Sequence, residues 1–247
     1  MRSIILPVFL GLTFLWNTLF SPITWAEASE VLQKAPIDLE DKASLQRGAK
    51  YFMNYCSGCH SLGYLRYSRL AEDLGIRDAD GKILTDIVKS NLMFNTLKIN
   101  EPILSSLKTA DGKTLFGIAP PDLTLETRAR SPDWVYTYLK SFYLDHGKVW
   151  GVNNLVFKDV AMPHVLSALQ GEQTLEQGEL VLTHPGSLSV VQYDQLVTDL
   201  VNFLTYAAEP ARATRHYIGG WVLLFLSLLF VFAYLLKREY WKDIKKY

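Results

Sequence analysis

The chain has 247 residues with 25 basic and 25 acidic side chains, so its formal net charge at neutral pH is zero. That length suits one sizeable domain with accessory segments, and the balanced charge gives no basis for nucleic-acid binding. Only two cysteines are present, and no internal repeat or low-complexity tract is visible.

At the N-terminus, Arg2 precedes an apolar run from Ile4 to Phe20, followed by Thr24-Trp25-Ala26-Glu27-Ala28. This is the layout of a secretory signal, with small residues at cleavage points after Ala26 or Ala28. Pro7, Asn17 and Pro22 argue against a continuous spanning helix, so residues 1–26 read as a removed signal peptide rather than an anchor. Residues 27–217 would then be an exported domain. Between Glu27 and Tyr217, 23 acidic residues stand against 19 basic ones, a surplus of four negative charges. That surplus permits a basic partner without requiring one.

Residues 27–43 read as an irregular leading segment. A helix from about Ser44, with Leu45, Ala49, Phe52 and Cys56 on one face, leads into and carries Cys56-Ser57-Gly58-Cys59-His60. This C-x-x-C-H stretch uses both cysteines and is the pattern for covalent attachment of a c-type haem. On a helical turn, cysteines three apart project to one side, where their sulfurs can reach the two vinyl groups of one porphyrin edge. His60 then offers an imidazole nitrogen to the iron, with its other ring nitrogen held by a backbone carbonyl or similar acceptor. A thioredoxin-like redox pair would want a strand before the motif. A zinc site lacks a fourth ligand at a recognisable spacing, although His146, His164, His184 and His216 exist. Haem attachment leaves no cysteine for a disulfide.

Leu62 to Leu70 continues with aromatic and basic residues, and Glu72 to Gly81 is a loop by composition. From Lys82 to Phe116 the pattern supports only coil with short helices. Ala119-Pro120-Pro121-Asp122-Leu123 is a rigid segment that cannot be helix interior. Ser131-Pro132-Asp133 is a helix start, with serine at the N-cap and proline in the first turn. Trp134, Val135, Tyr138, Leu139 and Phe142 make the buried face of that helix. Gly147 to Asp159 is loop.

The second axial position decides between a carrier, with both iron positions filled, and an open catalytic or gas-binding site. Met53 precedes His60 on the same helix and cannot reach the opposite face, and Met93 sits in an apolar run as a core residue. Met162, in Ala161-Met162-Pro163-His164, lies in an irregular segment stiffened by proline. His164 is a rival that would give bis-histidine ligation, and the residues alone leave Met162, His164 and an open site as alternatives.

Ser189-Val190-Val191-Gln192 is a capping-box start for a last soluble helix that buries Tyr193, Leu196, Val197, Leu200 and Leu204 before Pro210. Ile218 to Leu236 is then 19 residues without a charge, roughly 28 Å as helix and close to the hydrocarbon thickness of a bilayer. Trp221 and Tyr234 stand near its ends. Residues 237–247 form a basic tail with Lys237, Arg238, Lys242, Lys245 and Lys246, which marks the cytoplasmic side.

The series from C-x-x-C-H through Ala119-Pro120-Pro121-Asp122-Leu123, Arg128-Ala129-Arg130, Asp133-Trp134-Val135-Tyr136-Thr137-Tyr138-Leu139, Met162-Pro163-His164 and Ala207-Ala208-Glu209-Pro210 to one C-terminal span closely resembles the cytochrome c1 family. That family is the c-type haem subunit of ubiquinol–cytochrome c reductase. The resemblance implies a mainly α fold, a cytochrome c-like haem domain with long insertions, and a C-terminal transmembrane helix. It implies one covalently bound haem c, with thioethers at Cys56 and Cys59 and axial ligands His60 and Met162. It also implies Arg130 near a haem propionate and Pro120-Pro121 against the haem face.

Two departures from the family pattern stand out. Leu115-Phe116-Gly117-Ile118 replaces a polar Asn-Gly-Gly-type segment, and Trp134 replaces a residue that is commonly tyrosine. The implied function is membrane-anchored electron transfer from a Rieske iron–sulfur protein to cytochrome c, beside a cytochrome b subunit, with no substrate-converting site in this chain. The implied location is the bacterial inner membrane, single-pass, with the haem domain in the periplasm. A haem peroxidase or gas sensor, a thiol protein of export, and a membrane cytochrome c of another complex are the rival readings.

Overall fold

Helix placement follows the capping and burial pattern of the chain. The computed structural model describes residues 32–96 and 98–244; the expected signal peptide, residues 1–26, lies outside them. In chain order the elements are α1 (Lys42–Tyr55), β1 (Leu62–Arg66), α2 (Tyr67–Asp73), α3 (Thr85–Leu92), β2 (Pro102–Ile103), α4 (Thr109–Phe116), α5 (Glu126–Ala129) and α6 (Pro132–Lys140). There follow β3 (Phe142–Leu144), β4 (Val152–Asn154), α7 (Ser167–Gln170), β5 (Gly171–Glu176), β6 (Glu179–Pro185), α8 (Val190–Ala208) and α9 (Arg212–Ile244). Helices dominate, and the strands form three separate antiparallel pairs, β1–β2, β3–β4 and β5–β6.

The core is the crossing of α1 and α8. Asp41 caps α1 by accepting from the Ser44 amide, and Ser189 with Gln192 closes a reciprocal capping box on α8. Leu45, Ala49 and Phe52 of α1 are buried against Leu196, Val197, Leu200 and Phe203 of α8. The Phe52 and Phe203 rings meet at 5.9 Å. At Gly48 the backbones come close, since a Cβ there would lie 2.0 Å from the Asp199 carbonyl oxygen. Beside it the Asp199 carboxylate, 1% exposed, accepts from Ser44 Oγ at 2.7 Å and from Arg47 Nε and Nη2 at 2.6 and 2.8 Å. The Arg47 guanidinium supplies the opposite charge and both carboxylate oxygens are hydrogen-bonded, so the buried charge is satisfied.

Several expectations need correction: Phe142, expected on the helix that starts at Ser131, lies past its end in β3, and the expected loop 147–159 contains β4, which pairs with β3. The haem-type motif does not sit on α1. The helix ends at Tyr55 and residues 56–59 form the turn after it, with the amides of Cys59 and His60 both bonding to the Cys56 carbonyl. Leu62 to Arg66 is strand and only Tyr67 onward is helix. The β5–β6 hairpin was not foreseen. Gln177 and Gly178 both adopt positive φ at its two-residue turn, the requirement of a type I′ hairpin.

α8 ends at Ala208 and α9 begins at Arg212, so three residues join them. α9 is long and apolar enough to cross a membrane, and it is exposed along nearly all its described length. It extends beyond the charge-free stretch at both ends and runs into the basic tail as continuous helix.

Candidate functional site

Immediately after the motif, residues 61–63 are pinned to the double-proline segment. Leu123 donates its amide to the Ser61 carbonyl at 2.9 Å, and Asp122 Oδ2 accepts from the Gly63 amide at 2.7 Å. Asp122 Oδ1 accepts from the Thr124 amide at 2.8 Å and from the Thr124 hydroxyl. Proline fixes φ and offers no N–H, so Pro120 and Pro121 of this strap present carbonyls only. His60 Nδ1 lies 2.8 Å from the Pro121 carbonyl oxygen. A carbonyl can only accept, so Nδ1 carries the proton and Nε2 keeps its lone pair. Burial lowers the His60 pKa, with the Pro121 bond and the charges of Glu126 and Asp122 acting the other way. The imidazole is neutral and free to coordinate through Nε2.

The strap, the motif and α6 enclose a cavity of about 410 Å³, within the range of cofactor and ligand sites. Cys56, Cys59, His60, Pro120, Pro121, Arg130 and Met162 all line it. The sequence-predicted residues, drawn from four separate stretches, therefore face one space. Cys56 is buried, Cys59 is exposed, and both thiols are free. Burial, reinforced by Cys59, pushes the Cys56 thiol up to about 12, so its sulfur is protonated and neutral.

The far wall comes from α6 and the loop after it. Ser131 caps α6 by accepting from the Trp134 amide at 3.2 Å. It stands at φ 86°, ψ 151°, a region open mainly to glycine. Across that sharp turn Arg130 Cζ lies 4.4 Å from the Trp134 ring centre and 5.3 Å from that of Phe157, while its Nε holds Glu126 at 2.6 Å. Arg130 is thus half-exposed on the cavity wall with an acid beside it.

Trp134 stacks on Tyr138 at 5.1 Å, and Tyr138 meets Phe142 edge-on at 5.1 Å. Trp134 and Tyr138 are four apart on one face of α6, and Arg130, just before its cap, and Phe142, at the start of β3, extend them into a column. The loop that follows is wired by asparagines. Asn154 Nδ2 donates to the Tyr138 carbonyl, and Asn154 Oδ1 accepts from the amides of Val156 and Phe157. This wiring delivers Phe157, Val160 and Met162 to the cavity.

Met162 and His164 have different surroundings. Met162 lines the cavity, and its Sδ lies 3.3 Å from the Tyr138 hydroxyl, which donates to it. His164 is absent from the lining and stacks on Phe142 at 4.7 Å and 4°. Burial takes its pKa down to about 4. Met93 is buried in the core, as expected.

The residues present fit a c-type haem. Two free thiols, an imidazole with one bare nitrogen and a thioether converge on largely apolar walls. Among the described residues no group of three His, Cys, Asp or Glu is placed to hold a metal ion. Phe116 and Ile118 supply apolar wall, and Gly117 ends α4 at φ 75°. Sequence reasoning missed Glu126, Phe157 and Val160 as wall residues and the Tyr138 hydroxyl as a contact of Met162. The four-residue spacing from Arg130 to Phe142 was the available signal.

A helical domain built around such a cavity and followed by one membrane-length helix is a membrane-bound c-type haem protein. The chain belongs to the cytochrome c1 family, whose description, Cytochrome C1 family, matches residues 32–244. It is 50% identical to cytochrome c1 of Allochromatium vinosum, over 99% of this chain and 100% of that protein. It is 44% identical to the ammonia monooxygenase gamma subunit of Nitrosomonas europaea, over 86% of this chain and 88% of that protein. Cytochrome c1 of Rhodospirillum rubrum is 28% identical over 83% of both chains. The chain is therefore a respiratory-chain haem subunit with a haem c cofactor, held as a single-pass membrane protein.

Proposed function

We propose that this subunit takes single electrons from a Rieske iron–sulfur protein and gives them to a cytochrome c, beside a cytochrome b that packs on α9. The observation that carries this reading is the convergence of Cys56, Cys59, His60 and Met162 on one apolar cavity. One haem c, when bound, supplies reversible one-electron exchange at its iron. Cys56 and Cys59 would hold it as thioethers, and His60 Nε2 and Met162 Sδ would be the ligands to its iron, a pair that favours transfer over oxygen or peroxide chemistry. Pro121 keeps the His60 tautomer, Pro120 closes the wall beside it, and Arg130 is the cation available to a propionate. Residues 1–26 are the signal, 27–217 the periplasmic domain, 218–236 the span of the inner membrane, and 237–247 the cytoplasmic tail, whose positive charge sets the orientation.

Covalent attachment has a direct readout. Acidic organic extraction should leave the colour with the polypeptide, because both thiols are consumed. Extractable haem, or two thiols that alkylate freely in the mature protein, would remove the assignment.

The functional reading is tested by purification from detergent-solubilised membranes. The tagged full-length chain should bring down a cytochrome b and an iron–sulfur protein, and the preparation should reduce cytochrome c when given a ubiquinol. Recovery with a different respiratory assembly, and without a cytochrome b, would assign the subunit elsewhere.

A further inference from the structure

We propose that the Tyr138 hydroxyl is a positioning group for the Met162 sulfur and raises the reduction potential of the site through that atom alone. The inference rests on Met162 being the second axial ligand and adds a residue that the ligand set does not contain.

Tyr138 lines the cavity, and its Oη donates to Met162 Sδ at 3.3 Å. The ring cannot easily turn away, because Trp134 stacks on one side and Phe142 abuts it edge-on. A phenol hydroxyl keeps its proton at neutral pH and so is a donor here. A thioether sulfur is a weak acceptor with two lone pairs. One can take the O–H while the other stays available to a metal.

The Met162 segment is held at a second point two residues on, where His164 stacks on Phe142. The same aromatic column thus fixes both the sulfur and the backbone that bears it. Donation to sulfur withdraws electron density, which weakens the thioether more as a donor to electron-poor ferric iron than to ferrous iron. The reduced state gains relative to the oxidised one. The polarity of groups around an axial ligand is one of the levers a protein has on haem potential.

The test uses the full-length haem-loaded protein and Tyr138→Phe, which keeps the ring and its stacking. Equilibrated against a redox partner of known potential, the variant should shift toward the oxidised form by about threefold, roughly 28 mV at 59 mV per tenfold for one electron. The absorption feature of thioether-ligated iron should persist, and carbon monoxide should still fail to bind. In a Met162→Ala background the same substitution should shift nothing, since the effect passes through the sulfur. Tyr136→Phe on the same helix, whose hydroxyl contacts Lys140 instead, should leave the equilibrium alone.

An unchanged equilibrium in Tyr138→Phe overturns the proposal. So does loss of the thioether feature, which would make the hydroxyl a prop for the loop. If Met162→Ala itself leaves the feature and potential intact, the ligand reading fails, and that outcome is read independently of Tyr138.

Discussion

Met162→Ala should leave a protein that still carries covalent haem but has lost its thioether–iron absorption feature and binds carbon monoxide when reduced. Its reduction equilibrium should move by on the order of a hundredfold or more toward the oxidised form, about 120 mV at 59 mV per tenfold. The direction follows from ligand chemistry, because a neutral, soft thioether favours ferrous iron and methionine/histidine ligation raises the potential. The alanine side chain cannot reach across the cavity that Met162 lines. His164 stacks on Phe142 and does not line the cavity, so it is not positioned as a substitute. Met93→Leu is the matched control, a swap of similar volume in the buried core that should cost less than about 1.5 kcal/mol and leave the spectrum unchanged. A parental spectrum from Met162→Ala would move the ligand role to another residue.

The second large effect is on stability. Gly48→Ala should destabilise the domain by about 3 kcal/mol or more, at the upper end of overpacking costs. The added Cβ would lie 2.0 Å from the Asp199 carbonyl oxygen and 2.6 Å from Phe203 Cβ. Neither is the free end of a flexible side chain, so α1 and α8 would have to move apart. That movement would also stretch the Ser44 and Arg47 bonds to Asp199. Thermal unfolding of the full-length protein in detergent should show a midpoint lower by roughly 6–12 °C, using about 2–4 °C per kcal/mol for a chain of this size. Gly219→Ala, where a Cβ meets nothing within 4 Å, should melt close to the parent. A parental midpoint for Gly48→Ala would show that the two helices do not approach as described.

Why Gly48 was invisible in the sequence is instructive. A glycine within a helix reads only as a weak point in local propensity, and its need arises from α8, some 150 residues away in the chain. The elements that could be read were those with local causes. Ser131 and Ser189 announce helix starts through their own side chains, and the charge-free run of α9 follows from composition alone. Cys56, Cys59 and His60 share one short motif, and all three line the cavity.

Other features depended on tertiary context. The positive φ of Ser131 is set by the junction of α5 and α6, and serine gives no hint of it. The β5–β6 hairpin shows little burial alternation because much of it is exposed, so its strands lacked the apolar period that marks a half-buried sheet. The motif was read as helix because apolar spacing continues as far as Cys56. Spacing does not distinguish the last turn of a helix from the tight turn after it. Tyr138 was read correctly as a packing residue, but a hydroxyl's partner is decided by the fold, and this one lies 24 residues on.

The cavity also bears on the order in which this molecule can be made. Left unfilled, an apolar space of about 410 Å³ would cost up to about 10 kcal/mol at roughly 24 cal/mol per Å³, an upper limit because exposed residues such as Ile118 and Phe157 border it. The total folding stability of a domain is about 5–15 kcal/mol. Filling that space is thus a sizeable contribution on the scale of the domain's whole stability. Its walls, moreover, are gathered from residues as far apart as Tyr55 and Leu204. The Cys56 sulfur is buried and borders the space that those walls enclose. A group tethered at Cys56 and Cys59 before α8 packs would give the later helices a surface on which to close.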